Sequence, residues 1–280
     1  VIRSVDTSGW LSADLHVHAQ PSFDSGVSPT DRVITMVAEG VEFMVSSDHD
    51  YIFDYAPTVE ALGMEPWLST AVGLEVTPIE AGHYLGFPVD HDFLGDAGGA
   101  LDWTGLIPQE IVDEVRALGD DPVTFVAHPR DGILGYFDQF GLDPYSGTPG
   151  VPTVNVPTAS IGANPLFFRA QNFTLDFDAL ELFNGKRFEM IRTPTQPELD
   201  RHAADESLSV YDMLARTDEE QQDLQDEVYE LGAGIEGQVD DWFSLLNLGY
   251  RHTALANSDT HGKTSIEAGC PRNWVMSETD

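Results

Sequence analysis

The chain has 280 residues, of which 41% are hydrophobic, and a formal net charge of −35 from 48 acidic and 13 basic residues. Such a charge disfavours nucleic acid and anionic membranes as partners, because both bind proteins through cationic side chains. The lack of a long apolar run predicts no membrane insertion, and the single cysteine, Cys270, excludes an intrachain disulfide and a cysteine zinc cluster. We expect a small-molecule partner, and the charge favours a secreted or periplasmic location over the cytoplasm of a salt-adapted cell.

Apolar strands alternate with amphipathic helices along the chain. The first predicted helix has Ser28 as its N-cap and Pro29 at its first position. Alternation of this kind predicts an α/β fold with a mostly parallel sheet. The predicted strands cover residues 10–17, 41–46, 67–76, 83–87, 122–127, 180–183 and 253–257, and the predicted helices between them cover 29–39 and 108–118.

Two segments interrupt this alternation. Residues 138–175 are rich in Gly, Pro, Ser and Asn, which predicts an irregular excursion of the kind that often covers a barrel active site. Residues 197–248 predict an acidic, mostly helical insertion. We expect one domain over 1–280, since barrels of this length are usually single domains. No long helix is predicted after Gly269, although a barrel would normally close with one, so a truncated C-terminal end is an expectation.

Ligand-type side chains follow the predicted strands. His16 and His18 are two residues apart at a strand end, so both face the same side, and Asp259 and His261 repeat this spacing after the last strand. Most of these positions lie on the C-terminal side of their strands, where β/α barrels build active sites. So many imidazoles and carboxylates exceed what one tetrahedral ion uses and predict several Zn, Mn or Fe ions. The other residues of the pattern are His49, Glu75, His128 and, at the start of a strand instead of its end, His83.

An ordered series of motifs identifies a resemblance. The motifs are residues 14–18 (Asp-Leu-His-Val-His), Ser22 with Asp24, 47–50 (Ser-Asp-His-Asp), 73–77 (Gly-Leu-Glu-Val-Thr), 127–129 (Ala-His-Pro) and 258–261 (Ser-Asp-Thr-His). This series resembles the motifs of the polymerase-and-histidinol-phosphatase (PHP) family. Residues 73–77 followed by Gly-His-Tyr at 82–84 further resemble its carbaryl-hydrolase-like bacterial branch. The resemblance implies a distorted seven-stranded β/α barrel with a trinuclear metal site at the C-terminal ends of its strands.

The resemblance also implies a ligand set for two or three divalent transition-metal ions. This chain has Asp24 where many relatives have histidine. The implied sets are His16, His18, Glu75 and Asp259 for one ion, Glu75 with His83 and His128 for a second, and Asp24, His49 and His261 for a third.

Four further residues are candidates for roles beside the metals. Asp14 is expected either to orient a ligand histidine or to be a polar residue at the start of a strand. Asp48 and Asp50 flank a ligand histidine. Each is expected to be a proton carrier, a hydrogen-bond partner of a metal ligand or a solvated loop carboxylate. Arg130 is expected either to bind a substrate oxyanion through its forked donors or to pair with a carboxylate.

The chemistry predicted from these residues is hydrolysis by a metal-bound hydroxide. Few cations lie near the motifs, which favours a small ester, carbamate or amide over a phosphoester. A phosphoesterase and a non-catalytic PHP module of a larger protein are the alternatives. The amidohydrolase barrel also opens with His-x-His, but its bridging lysine would have Lys186 as the only candidate here.

Overall fold

The structure is a computed structural model, and it describes residues 7–78, 81–150, 170–186, 238–263 and 267–277. The helices of these residues are α1 (Pro29–Ala38), α2 (Ala56–Leu62), α3 (Pro108–Ala117), α4 (Tyr136–Phe140) and α5 (Gln238–Leu248). The strands are β1 (Trp10–Asp14), β2 (Phe43–Ser46), β3 (Ser69–Val72), β4 (Leu74–Val76), β5 (Tyr84–Phe87), β6 (Val123–Val126), β7 (Leu142–Asp143), β8 (Thr148–Pro149), β9 (Ala179–Asn184), β10 (Thr253–Asn257) and β11 (Asn273–Met276).

Two main sheets carry most of the strands. The first has the order β11-β1-β2-β3, in which β1, β2 and β3 are parallel and β11 is antiparallel to β1. The second has the order β10-β9-β6-β5-β4, in which β5 runs antiparallel to both of its neighbours. The architecture is therefore mixed α/β, and the expected mostly parallel sheet is interrupted by β5 and β11.

Gly73 lets one extended segment pass from the first sheet to the second, between β3 and β4. A Cβ atom at this position would lie 2.6 Å from Val45 Cγ1 and 2.8 Å from the carbonyl oxygen of Gly86, so only glycine permits this approach. Isolated parallel bridges, Val17 with Thr260 and His49 with Glu75, also connect the sheets. Within the described residues these bridges do not complete a continuous ladder, and the seven-stranded barrel stays a prediction.

Helices cover the sheets as the apolar pattern predicts. The Ser28 hydroxyl accepts a hydrogen bond from the backbone N–H of Asp31 at 3.1 Å, which confirms the predicted N-cap of α1. Val33 and Met36 of this helix are fully buried in one core, and Ile111 and Val115 of α3 are fully buried in another. A third core lies between strands of the two sheets and contains Ala13, Leu15, Val45, Leu85, Phe125, Ala127 and Ala179.

Parts of the predicted interruptions lie outside the described residues. Of the predicted excursion at 138–175, residues 151–169 are outside, and the described part contains the short β7–β8 hairpin. Of the predicted acidic insertion at 197–248, only 238–248 is described, and it is the helix α5. Among the described residues, no helix combines the length and apolar content needed to cross a membrane.

Candidate metal centre

The nine predicted ligands come together at one end of the two sheets. Eight of them follow the C-terminal end of β1, β2, β6 or β10 or lie within β4, whereas His83 precedes β5. Tyr84, at the start of β5, pairs with Val76 at the end of β4 and with Val126 at the end of β6. Because β5 is antiparallel, its start lies at the same edge as its neighbours' ends. Strand direction thus explains why the exception in the sequence pattern still reaches the site.

Glu75 lies at the middle of the cluster, and its carboxylate is completely buried. Its two oxygens face different imidazoles, which is the arrangement that a bridging carboxylate needs. Glu75 Oε1 lies 3.0 Å from His83 Nδ1, 3.4 Å from His16 Nε2 and 3.5 Å from His128 Nε2, and Oε2 lies 2.7 Å from His49 Nδ1 and 3.4 Å from His18 Nε2.

Asp259 faces the same centre from the opposite side. Its Oδ1 atom lies 3.3 Å from His18 Nε2 and 3.5 Å from His16 Nε2. The ammonium group of Lys186 lies 3.2 Å from the same oxygen, so a cation is already in contact with this ligand group. Its other oxygen, Oδ2, accepts a hydrogen bond from Asn184 Nδ2 at 3.1 Å.

Asp24 brings the third predicted set together at the rim. Its Oδ2 atom lies 3.1 Å from His261 Nε2 and 3.5 Å from His49 Nε2, and these two nitrogens are 3.2 Å apart. The Asp24 side chain is 38% exposed, so this part of the cluster is open to solvent. The ring of Phe23 is 81% exposed and stacks on His49 with centroids 5.0 Å apart.

Several inward-facing atoms have no hydrogen-bond partner among the described residues. They are buried nitrogen and oxygen atoms that face each other across the centre, an arrangement that is costly in the absence of a cation. Imidazole and carboxylate together are the donor set that Zn, Mn and Fe prefer, so the residues fit such ions. The unpartnered atoms are His16 Nε2, His18 Nε2 and Glu75 Oε2, and Asp259 Oδ1 has no hydrogen bond but contacts the Lys186 ammonium group. Groups of three ligand atoms within 4.8 Å of one another are His18–His49–His261, His16–His18–Glu75, His16–His128–Asp259 and Glu75–His83–His128.

Hydrogen bonds at the outer nitrogen fix the tautomers of two ligand histidines. The hydroxyl of Ser22 donates to Asp48 Oδ1 at 2.8 Å, so it accepts from His18 Nδ1 at 3.0 Å. His261 Nδ1 donates to the backbone carbonyl of Asp259 at 2.9 Å. In each ring the Nε2 lone pair is therefore free to face the cluster, as a metal ligand requires.

The pKa values show how strongly the cluster draws positive charge. Burial lowers the pKa of His16, but Asp259, Glu181 and Glu75 raise it well above its usual range. Burial, together with the charges of His261 and His49, lowers the pKa of neighbouring His18 well below its usual range. The carboxylates thus attract protons to some imidazoles at the expense of others, and bound cations would displace those protons.

Asp14 is buried and, among the described residues, bonds no ligand imidazole, although its Oδ1 accepts from the backbone N–H of His16 at 3.4 Å. Its Oδ2 atom accepts from the Ser258 hydroxyl at 2.5 Å and from the Gly269 N–H at 3.0 Å, and its Oδ1 accepts from the backbone N–H of Ser258 at 3.1 Å. Burial raises its pKa to about 6. Asp14 therefore ties β1 to the segments after β10, which is closer to the structural alternative of the sequence prediction.

Asp48 and Asp50 are also bound to other parts of the chain. Asp48 is fully buried and accepts from the Ala19 N–H at 2.8 Å, the Ser22 hydroxyl and the Tyr55 hydroxyl at 3.1 Å. Asp50 accepts from Trp103 Nε1 at 2.9 Å and from the Thr77 hydroxyl. Asp48 is therefore not a solvated loop carboxylate, whereas Asp50 is only partly buried, and both hold site loops in place.

Arg130 lies away from the ligand cluster, and its guanidinium group is buried. It donates to Asp241 at 2.8 Å and 3.2 Å, to Asp138 at 3.2 Å and to the Leu142 carbonyl at 3.1 Å. The structure therefore has the carboxylate-pairing alternative, because these donors are used by protein partners, and contact with a substrate oxyanion stays a prediction.

Sequence reasoning did not identify Glu181, Asn184 and Asn257 as parts of this site. Glu181 accepts from His16 Nδ1 at 2.9 Å, and the two asparagines donate to its carboxylate. The sequence did contain a signal for Glu181, which is a glutamate inside the apolar run of a predicted strand. An acidic residue is almost never fully buried without partners, so such a glutamate indicates a polar site.

Comparison with known proteins gives structural likeness alone. No family model and no curated protein matches the chain. A two-domain protein from Bacteroides vulgatus with a predicted PHP-like metal-dependent phosphoesterase is 19% identical, with 74% of this chain and 53% of that chain covered and a TM-score of 0.35. This chain thus spans about half the length of that protein. A protein from Bifidobacterium adolescentis that is described as a metal-dependent phosphoesterase is 14% identical, with 92% of this chain and 90% of that chain covered and a TM-score of 0.43. An amidohydrolase from Chromobacterium violaceum is 12% identical (93% and 90% covered, TM-score 0.43). These likenesses are too distant to assign a function, and membership of the carbaryl-hydrolase-like branch stays a prediction.

Proposed function

We propose that the chain is a metal-dependent hydrolase that binds two or three divalent Zn, Mn or Fe ions and cleaves a small ester, carbamate or amide. One observation carries the proposal: Glu75 lies between the imidazoles of His16, which follows β1, and His49, which follows β2, and an unpartnered nitrogen of each ring faces one of its two oxygens. A buried carboxylate surrounded in this way fits a role as a shared ligand of two cations. The ordered PHP-like motifs support the same conclusion.

Different residues of the chain would have different roles in hydrolysis. Cations bound by this set would supply a water of lowered pKa and polarise the bond that is attacked. Glu75 and Asp259 would balance the charge of the cations, and Ser22 would keep His18 in the tautomer that binds metal. Asp24 and Phe23 lie on the exposed rim, where a substrate would enter.

The charge around the cluster supports a carbonyl substrate. A phosphoester carries negative charge that a site usually meets with arginine or lysine. Arg130 is turned away from the cluster and paired with Asp241 and Asp138. In the part of the chain that the structure describes, Lys186 is the one lysine or arginine whose charged group contacts a ligand side chain.

Metal content and hydrolysis measured on one preparation would test the proposal. We expect elemental analysis of protein purified without chelator to give two or three transition-metal ions per chain, and hydrolysis of naphthyl acetate or a naphthyl carbamate. His16→Ala combined with His18→Ala should lower the metal count and abolish hydrolysis, while the control His91→Ala, outside the motifs, should change neither. Unchanged metal occupancy in the double variant would refute the ligand assignment.

Phosphoester hydrolysis is the second candidate, and Lys186 is the observation that favours it. Its ammonium group lies 3.2 Å from Asp259 Oδ1 and 3.2 Å from His261 Nε2, and the side chain is 26% exposed. A cation at the open side of the cluster could meet a phosphate oxygen. Release of phosphate from p-nitrophenyl phosphate without ester cleavage would replace our first proposal with this one, whereas a metal-replete protein inactive on every substrate would support a non-catalytic module.

A further inference from the structure

Glu181 on β9 is a fully buried carboxylate whose oxygens are both saturated by donors. Its Oε1 accepts from His16 Nδ1 and from Asn257 Nδ2, both at 2.9 Å. Its Oε2 accepts from the backbone N–H of His128 and from Asn184 Nδ2, both at 2.9 Å. A carboxylate has about four acceptor positions, so all of them are used in holding neighbouring groups.

Three ligand residues depend on this one carboxylate. His16 and His128 contact it directly, and Asp259 is reached through Asn184, whose Nδ2 group donates to Glu181 and, at 3.1 Å, to Asp259 Oδ2. The same three residues form one of the groups whose ligand atoms lie within 4.8 Å of one another. Glu181 therefore connects the members of a single candidate ion site, although they come from three separate segments.

Each of the three ligands is held in a tautomer, backbone conformation or side-chain orientation that depends on its hydrogen-bond partners. A neutral His16 ring has its proton on Nδ1, because the Glu181 carboxylate accepts a hydrogen bond there, so its Nε2 lone pair faces Glu75 and Asp259. His128 has a φ of 26° and Asp259 a φ of 52°, in the left-handed region that residues other than glycine rarely occupy. The hydrogen bond from the His128 N–H to Glu181 fixes this backbone where the ligand imidazole leaves it.

We propose that Glu181 is the positioning residue of the ion site formed by His16, His128 and Asp259. It sets the tautomer of the first, the backbone of the second and, through Asn184, the carboxylate orientation of the third. This proposal rests on the metal binding in the proposed function. It does not extend to the group of His18, His49 and His261, which has none of these contacts to Glu181 among the described residues.

Glutamine is the informative replacement at this position. It keeps the size of the side chain, but its amide nitrogen donates and cannot accept. One pair of donors, either that of His16 and Asn257 or that of His128 and Asn184, would then face another donor. Loss of outer contacts to metal ligands lowers metal affinity by about 10–100-fold. We expect Glu181→Gln to weaken the binding of ions held by His16 or His128 by this amount, while an ion held by His18, His49 and His261 binds as before.

Histidine ¹⁵N NMR on the metal-free protein, recorded at a pH where the His16 ring is neutral, tests the first step without activity. We expect wild-type His16 to carry its proton on Nδ1 and to show a mixture of tautomers in Glu181→Gln. Titration with Zn²⁺ then measures the affinity of each ion. Asp241→Asn is the matched control, since it also changes a fully buried acid, and it should leave the Zn²⁺ isotherm unchanged even if it melts at a lower temperature. Glu181→Asp, which keeps the charge but is too short to reach all four donors, should give intermediate affinity.

Two results would overturn the proposal: His16 with its proton on Nε2 in the wild type, or a folded Glu181→Gln variant with all ions at wild-type affinity. Should Glu181→Gln not fold, Asn184→Ala decides, because it breaks the connection to Asp259 alone, and unchanged affinity in that variant would count equally against us. A wild-type protein that binds Zn²⁺ but hydrolyses nothing would overturn the proposed function and leave the role of Glu181 intact.

Discussion

The variant Arg130→Met tests whether this arginine stabilises the fold or binds substrate, since its position just after His128 suggested both roles. The guanidinium group is 1% exposed and makes four hydrogen bonds of 2.8 to 3.2 Å, two of them to Asp241 on α5. Burial lowers its pKa, but Asp241 and Asp138 raise it above the usual value, so the group stays a cation. Methionine fills most of the volume but leaves two buried carboxylates without this cation.

Removal of one partner from a buried ion pair costs about 3–5 kcal/mol. Each kcal/mol shifts the Tm of a domain near this size by about 2–4 °C, so the Tm of Arg130→Met should fall by about 6–20 °C. Calorimetry of the metal-replete protein would measure this. Arg116→Met is the control, because Arg116 is 31% exposed and its partner Asp176 is 64% exposed, and an exposed pair contributes only about 0–1 kcal/mol.

Arg130→Met should keep its KM for naphthyl acetate, measured well below its Tm, because the guanidinium group faces α5 and not the ligand cluster. A double variant that also carries Asp241→Leu should recover part of the lost stability, since buried pairs can be replaced by apolar groups at little net cost. An unchanged Tm together with a KM raised about tenfold, which corresponds to about 1.4 kcal/mol of binding, would show that Arg130 binds substrate and that our account of it is wrong.

Four further predictions concern the cluster itself. Glu75→Gln should release at least one ion and abolish hydrolysis, because an amide cannot bridge two cations as a carboxylate does; full metal content by elemental analysis would contradict this. Burial lowers the pKa of His49, but Glu75 and Asp24 raise it to about 10, so metal must displace a proton below that pH. Metal affinity should therefore rise with pH from about 6 to about 9, with proton release in calorimetry, and an affinity independent of pH would count against His49 as a ligand. In the metal-free protein, the stabilisation from protonated His49 is complete below its unfolded pKa of about 6.5 and is lost as the pH rises through 10, so chemical unfolding of that form should become easier over this range; a constant or rising free energy of unfolding would refute it. Asp48→Asn should lower metal affinity through Ser22 and His18 without a change of net charge at the ligands, and wild-type affinity would exclude this connection.

The sequence predicts the ligands well because a strand end delivers its side chains by a local rule. Two-residue spacing places His16 and His18 on one side, and the structure indeed directs both Nε2 atoms to Glu75. The N-cap at Ser28 is equally local, since it depends only on the next three residues. Such features need no knowledge of distant partners.

Features that depend on distant partners could not be predicted in the same way. The direction of β5 is set by its pairing with β4 and β6, and the apolar pattern of a strand is the same in either direction. One carboxylate partner of Arg130, Asp241, lies 111 residues away. For that reason, the sequence left substrate binding and carboxylate pairing as equal alternatives.

The backbone at the site shows the limit of local rules most clearly. Asp50, His128 and Asp259 have φ values of 48°, 26° and 52°, conformations that cost on the order of 1–3 kcal/mol each for residues other than glycine. Local preference would put glycine there, but glycine has no side chain for chemistry. The chain instead stabilises these conformations with long-range hydrogen bonds: from Trp103 to Asp50, from His128 to Glu181, and from the Asp259 N–H to the carbonyl of residue 16 at 2.9 Å. Residue types at strand ends therefore indicate which ligands are present, whereas the positions of those ligands depend on buried polar residues far along the chain.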